Sequence, residues 1–266
     1  MQPLPADLDH LKAQLDAVRH LDNYRIRQAL ELEYTRFGVP IREQPDRRQY
    51  ADPARNGFGS GLEDINEGLT IGGKPLKDHL EAINHRDAVD YVRDIVQQRV
   101  DFSERVLLDL HSLVLRGIDR DNAGRYRSVP VLIQGSQHQP PQPYLVPVQM
   151  EALFRWYETE AAGLHPVVLA AELHERIVTV HPFVDGMVRH SGGRTARLVM
   201  NLTLLRHGYP LAILKGDADS RLTYYNALEN AQTTGDKADF VRLVANTVRA
   251  TLIRLLNLFQ GDRPTQ

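Results

Sequence analysis

The chain has 266 residues, with 34 acidic against 32 basic side chains and a formal net charge of −2, so no global electrostatic pull toward nucleic acid or a membrane surface is implied. Cysteine is absent, which excludes disulfides, thiol catalysis and Cys-based metal sites. Hydrophobic and charged fractions of 42% and 25% are those of an ordinary globular protein with ample core.

The first residues lack a basic stretch followed by an apolar one, and no apolar run reaches the roughly 18 residues that span a bilayer. The expectation is a cytoplasmic protein, without membrane or direct nucleic-acid contact. Leu8, Leu11, Leu15 and Val18 fall at helical spacing. Asp22-Asn23 breaks that pattern, and residues 24–37 resume it through Ile26, Leu30 and Leu32. Residues 38–61 are rich in Pro, Gly and charge and read as a long linker. The expected organisation is an N-terminal helical extension with linker over 1–61, a main domain over 62–259 and a frayed tail over 260–266.

Residues 76–100 carry an amphipathic pattern with a break near Asn84-His85, and Ser103 is placed to cap a helix running to Leu115. Asp121-Asn-Ala-Gly124 reads as a turn. Residues 128–133 and 144–148 are short apolar or β-branched runs around a Gln- and Pro-rich loop, which predicts a β-hairpin whose prolines suit only an edge. An exposed edge strand can grip an extended peptide; a purely structural hairpin fits these runs equally well. Residues 150–157 read as a helix. Pro166 opens the next, with Ala170, Leu173, Ile177 and Val180 on its buried face. His174 and His181 are seven apart on that helix. Without a third ligand, core placement of His174 outweighs a zinc pair. Further helices are expected over 193–207, 219–232 and 240–259.

Residues 181–201 concentrate the chemistry. His181 carries an imidazole that could take a proton from an attacking hydroxyl. Asp185 could hold magnesium against phosphates. Gly192 and Gly193 precede a helix that Gly208-Tyr-Pro210 stops. Such a helix start exposes free N–H groups and the positive end of the dipole, which makes an anion site. Arg194 and Arg197 are three apart, share a face near that end, and suit a di- or triphosphate. Taken singly, an apolar-segment His or a helix-start Arg is more often structural or decorative; their joint arrangement favours function.

These residues resemble the signature of Fic-domain proteins, His-Pro-Phe-x-Asp/Glu-Gly-Asn-Gly-Arg-x-x-Arg. Residues 181–186 match its first half and 193–201 its second. The likeness continues through residues 70–76, Glu81-Ala-Ile-Asn-His-Arg-Asp-Ala88, Gly124-Arg-Tyr-Arg127, the 129–148 hairpin and Tyr224-Tyr-Asn-Ala-Leu-Glu229, covering roughly 65–255. It implies a mainly α Fic fold, a helical bundle with a small β-hairpin flap and an N-terminal helical extension. It also implies a magnesium-dependent adenylyltransferase that moves AMP from ATP to a Ser, Thr or Tyr hydroxyl of a target protein, self-modification and a homodimer being within its scope.

By that resemblance His181 is the base, Phe183 packs into the core, and Asp185 binds Mg²⁺ bridging the α- and β-phosphates. Gly193 supplies backbone N–H groups, with Gly186 and Gly192 in the same phosphate site, and Arg194 and Arg197 meet the β- and γ-phosphates. Tyr224, Tyr225 and Gln232 fall on the adenine side. Val131, Leu132 and Ile133 form the flap strand that holds the target.

Two departures stand out. Residues 187–192 occupy the place of the single motif Asn, a net insertion of five. They part the base and carboxylate from the arginines. The inhibitory Ser/Thr-x-x-x-Glu-Gly/Asn motif of many relatives has no intact counterpart: residues 35–41 lack Glu, and Glu67-Gly68 has Glu63 where Ser or Thr belongs. The insertion makes a catalytically impaired nucleotide- or partner-binding module the alternative reading. Transfer of another phosphate-containing group is the third.

Overall fold

A computed structural model describes residues 4–18, 76–184 and 191–261. Among these, eight α-helices follow one another: α1 (Leu4–Val18), α2 (Leu76–Gln97), α3 (Glu104–Leu115), α4 (Val146–Glu160), α5 (Pro166–Val180), α6 (Ser191–Arg206), α7 (Ala218–Thr234) and α8 (Ala238–Gly261). The expected helix over 24–37, the linker, the 70–75 segment, Glu67-Gly68, Asp185, Gly186, residues 187–190 and the tail past 261 lie outside the described residues.

α5 and α6 form the centre. α5 buries Val167, Leu169, Ala170, Ala171, Leu173, Ile177 and Val180, so it is apolar nearly all round, the mark of a helix covered on every side. One face of the α5–α6 pair closes a core with α2, α3 and α4, through Val92, Leu107, Leu110 and Met150. The other closes a second core with α1, α7 and α8, through Leu8, Leu15, Leu228, Phe240 and Val248. Residues 181–190 join α5 to α6, which places the C-terminal end of α5 and the N-terminal end of α6 together.

Local signals explain most helix ends. The Ser103 side chain accepts from Val106 N at 3.5 Å and Asp217 from Ser220 N at 2.9 Å, capping α3 and α7. Pro166 stands in the first turn of α5, where its missing N–H costs nothing. Gly208, at φ 78°, lies just beyond α6. The described α6 starts at Ser191, two residues before the expected start at Gly193.

Three expectations are corrected. No strand forms among the described residues, so the 128–148 segment is no β-hairpin: 128–142 is irregular, Pro143–Leu145 is a 3₁₀ turn, and Val146 begins α4. Pro130, Pro140, Pro141, Pro143 and Pro147 cannot donate to a ladder, and Pro143 and Pro147 instead sit in first-turn positions of helices. Residues 144–148 therefore extend the helix expected at 150–157. Finally, α2 is unbroken at Asn84-His85. The buried Asn84 amide donates to the carbonyls of Val114 and Arg116 at 3.3 and 2.6 Å, satisfying the end of α3 rather than breaking its own helix.

Candidate functional site

His181 is the C-cap of α5, in the left-handed region at φ 48°, ψ 59°. Its N–H still donates to Ile177 O at 2.9 Å. The strained backbone is held from outside. Arg127, 3% exposed, donates through Nε to His181 O at 2.7 Å, and its other nitrogens donate to Val129 O at 3.1 Å and Pro141 O at 2.5 Å. Its N–H also donates to Pro182 O at 2.8 Å. One guanidinium thus ties the His181 turn to both ends of the 128–142 segment.

Phe183 completes the anchor. It is fully buried, and its ring stacks on His111 of α3 at 3.8 Å and 15°. His111 Nδ1 accepts from Gly124 N at 3.2 Å, which fixes that imidazole. Gly124 has φ +67°, and a Cβ there would meet Leu108 O at 3.1 Å, so the position calls for glycine. The expected turn at 121–124 therefore supports the site from beneath.

The 128–142 segment is pinned at its tip as well. Glu229 of α7 accepts from Ser136 Oγ, and from Gln137 N at 2.7 Å. The Ser136 bond holds the Glu229 carboxyl below its usual range. His138 Nε2 meets Thr179 O in the last turn of α5 at 2.9 Å. Of the three residues expected to hold a target, Leu132 is 89% exposed while Val131 and Ile133 are half-buried. They present an irregular segment rather than a strand.

At the start of α6 the two arginines part company. Arg194 is buried, and its Nη2 meets Glu81 Oε2 of α2 at 2.7 Å. Arg197 turns back along the helix: its Nη1 lies 3.6 Å from where a Cβ on Gly193 would stand. Its Nε is buried with no hydrogen-bond partner among the protein atoms. Gly192 lies in the first turn, among the N–H groups that a helix leaves unsatisfied. His85 lies close enough to feel both arginines, and burial, with the two positive charges, pushes its pKa down to about 3.

On the far side, Tyr224 of α7 meets His174 Nε2 at 2.8 Å. Burial raises the Tyr224 phenol to about 12, against the pull of the Arg197 charge. Tyr225 is 45% exposed, its ring 5.4 Å from that of Tyr224. Gln232 keeps a buried Nε2 without a partner among the protein atoms. The structure thus brings His181, Gly192, Gly193, Arg194, Arg197, Tyr224 and the 128–142 segment to one end of the α5–α6 pair. His174 is a core residue, as its sequence context suggested. Asp185 and Gly186 lie outside the described residues. Among those residues no group of three or more His, Asp or Glu side chains could hold a metal ion.

Sequence reasoning gave no role to Glu81, His111, Arg127 or Glu229. Each acts across a long sequence separation, and no spacing rule marks such a partner. The fragments that carry Glu81, Arg127 and Glu229 had nonetheless been singled out by likeness.

The Fic/DOC family profile matches residues 101–204. A relative called protein adenylyltransferase Fic, from Drosophila melanogaster, is 36% identical over 185 residues, covering 69% of this chain and 36% of its own. The chain thus spans little more than a third of the length of that relative. Among solved structures, Fic-1 (residues 134–508) of C. elegans superposes with a TM-score of 0.74 at 26% identity, over 96% of this chain and 72% of that one. A Fic domain-containing signaling protein of Bacteroides thetaiotaomicron superposes at 0.76 with 23% identity, over 97% and 100%. The mainly helical architecture is therefore that of the Fic fold, and the chain carries a domain of the Fic/DOC family.

Proposed function

We propose that this domain transfers AMP from ATP to a Ser, Thr or Tyr hydroxyl of a protein. The reading rests most on Arg197, whose buried Nε lacks a protein partner and whose guanidinium folds against Gly193 at the start of α6. A buried cationic donor beside free helix N–H groups is matched by a polyphosphate. The names of the Drosophila relatives point the same way.

His181 would take the proton of the target hydroxyl as its oxygen forms a bond to the α-phosphorus. The bond from that phosphorus to the bridging oxygen breaks, and pyrophosphate leaves. Arg197 and the α6 N–H groups would hold the β- and γ-phosphates and stabilise the leaving charge. Arg194, neutralised in part by Glu81, would contribute less field than Arg197. Mg²⁺ would be held by Asp185 and the phosphates, neutralising charge on the nucleotide; this ion commonly keeps only one or two carboxylate ligands, so no cluster of protein ligands is needed. Tyr225 and the unpartnered Gln232 amide would face the adenine. The target segment would lie along residues 131–133. A cytoplasmic site of action, self-modification and a homodimer belong to the same reading; no helix among the described residues is long and apolar enough to cross a membrane.

The test is incubation with Mg²⁺ and ATP labelled at the α- or the γ-phosphate, with the protein alone and with lysate. Transfer of the α label, abolished in His181→Asn, is expected. Transfer of the γ label alone would replace this activity by phosphate transfer. No transfer of either label overturns it.

One observation favours a second reading, a module that binds nucleotide without transfer. Ser191 and Gly192, part of the insertion, join α6 and move its first turn ahead of Gly193. Replacing residues 187–192 by a single Asn should then switch transfer on. Equal activity before and after the replacement removes this reading.

A further inference from the structure

We propose that Glu229 is a positioning residue for the target segment: it fixes residues 131–133 from the nucleotide's side of the site. The inference rests on the proposed role of those residues in holding a protein target, and it names a side chain outside the expected site.

Residues 128–142 form no strand, so no ladder sets where 131–133 stand. Among the described residues, no hydrogen bond uses the backbone of Val131 or Leu132. Those groups are open to an extended partner, and the ties at the two ends of the segment set their position. At one end Arg127 binds the carbonyls of His181, Val129 and Pro141. At the other, Ser136 N donates to Ile133 O at 3.2 Å and closes a turn. Gly135 takes the third place of that turn at φ 83°, which calls for glycine.

Glu229 grips this turn with both carboxylate oxygens. Oε2 accepts from Ser136 Oγ, and Oε1 accepts from Gln137 N at 2.7 Å. The Ser136 hydroxyl accepts in turn from His138 N at 3.0 Å. His138 Nε2 meets Thr179 O at 2.9 Å; a carbonyl only accepts, so that nitrogen carries the hydrogen. Thr179 O belongs to the last turn of α5, whose carbonyls a helix leaves without internal partners. Two acceptors on one turn fix its orientation as well as its distance, which a single bond cannot do. Glu229 is therefore two hydrogen bonds from Ile133, by way of Ser136. A side chain that only filled space there would need no acceptor.

Its place on α7 gives the tie its meaning. Tyr225, Glu229 and Gln232 stand at i, i+4 and i+7, on one face of the helix. The first and last of these are the residues proposed for the adenine side. One helix face thus addresses the nucleotide and grips the turn that ends the target-holding residues. Arg127 locates those residues against His181, and Glu229 locates them against the nucleotide. A hydroxyl that must meet both the base and the α-phosphorus needs both distances set, and a misplacement of about 1 Å costs on the order of 100-fold in rate.

The experiment compares the unaltered protein with Glu229→Met, Glu229→Gln and Ser136→Ala, each checked for folding by thermal unfolding. Methionine keeps the length and removes both acceptors. Glutamine keeps an acceptor for Gln137 N, and its amide can donate to the Ser136 hydroxyl. Three quantities are measured: amide hydrogen exchange at Gln137 and Arg127, calorimetric affinity for Mg-ATP, and the rate of label transfer from α-labelled ATP at saturation, with the protein alone and with lysate. In Glu229→Met, exchange at Gln137 should quicken about tenfold, the size of one hydrogen bond to a charged group, while Arg127 is unchanged. Transfer should fall about tenfold with ATP affinity held within about twofold. Glu229→Gln should recover most of the loss, and Ser136→Ala should fall between. Transfer at the unaltered rate in Glu229→Met, or in Ser136→Ala should the methionine variant fail to fold, overturns the inference and leaves the proposed activity standing. Unchanged exchange at Gln137 in Glu229→Met overturns it as well. A loss of ATP affinity that matches the loss of transfer would place Glu229 in nucleotide binding and also overturns it. If the unaltered protein transfers no label, the proposed activity itself falls, and this inference with it.

Discussion

Single residues in this domain are tuned by burial more than by exposed charge pairs. His85 and His174 are both held neutral, with pKa values near 3 against an ordinary 6.5. In the unfolded chain each regains its ordinary value, so below about pH 6.5 the unfolded state binds protons that the folded state refuses. Stability is therefore unaffected by these groups above that pH and falls as pH drops from about 6.5 toward 3. Each histidine adds a slope approaching about 1.4 kcal/mol per pH unit in that window. Urea unfolding at pH 7 and pH 5 should show a clear loss at the lower pH, and His174→Gln should reduce it. A pH-independent midpoint over that range would contradict the neutral assignment. The sequence showed both histidines but not their state. The lack of a third ligand for a zinc pair places His174 in the core, whereas the pattern around Asn84-His85 reads as a break. What sets the state of His85 is burial first, and then the charges of Arg197 and Arg194 on α6, roughly a hundred residues later.

Among the elements, the segment 128–142 shows most clearly what a local pattern can and cannot say. Its apolar runs suggested paired strands, yet the prolines withhold the donors that pairing needs, and 143–148 follows their helix-start preference instead. What replaces the ladder is a set of long-range ties: Arg127 at its base, Glu229 and Thr179 at its tip. Glu229 and Thr179 lie some 40 to 90 positions from the residues they hold, and Arg127, which directly precedes the segment, ties it to His181 54 positions on, beyond any periodicity. Helices such as α5 and α7, by contrast, were legible because spacing, Pro166 and a capping position lie within the element itself. Arg127→Lys tests the tie. Lysine keeps the charge but cannot reach three carbonyls with a planar fork. It should lower kcat about 100-fold while ATP affinity stays nearly constant, because His181 and residues 128–142 shift together. An equal loss in kcat and ATP affinity would place Arg127 in general folding rather than in this tie.

At the scale of the whole molecule, the α5–α6 pair is shared by two cores, so neither half can melt without exposing it. α1 belongs to this arrangement: Leu8 and Leu15 are buried in the α8-side core, Asp9 accepts from the Tyr209 hydroxyl, and Asp7 meets Arg249 at 2.6 Å. Leu15→Ala should therefore cost about 2–5 kcal/mol in the global unfolding transition, as for a central core residue, rather than loosen α1 alone. Calorimetry showing an unchanged main transition beside a new low-temperature one would mean that α1 melts separately. The helical class and most of the described helices were readable from patterning and motif. The shared central pair was not, because α5 and α6 reveal only that they are apolar, and which helices cover each face depends on topology.

The left-handed backbone of His181 has a practical consequence. A side chain with a Cβ in that conformation costs on the order of 1 kcal/mol, which glycine avoids and asparagine largely avoids. His181→Gly should consequently raise the melting temperature while removing the proposed base. A screen that rewards thermal robustness alone would then enrich dead protein at this position. The same geometry recommends asparagine over alanine for a silenced control, since it accepts the turn and leaves the surrounding anchors in place.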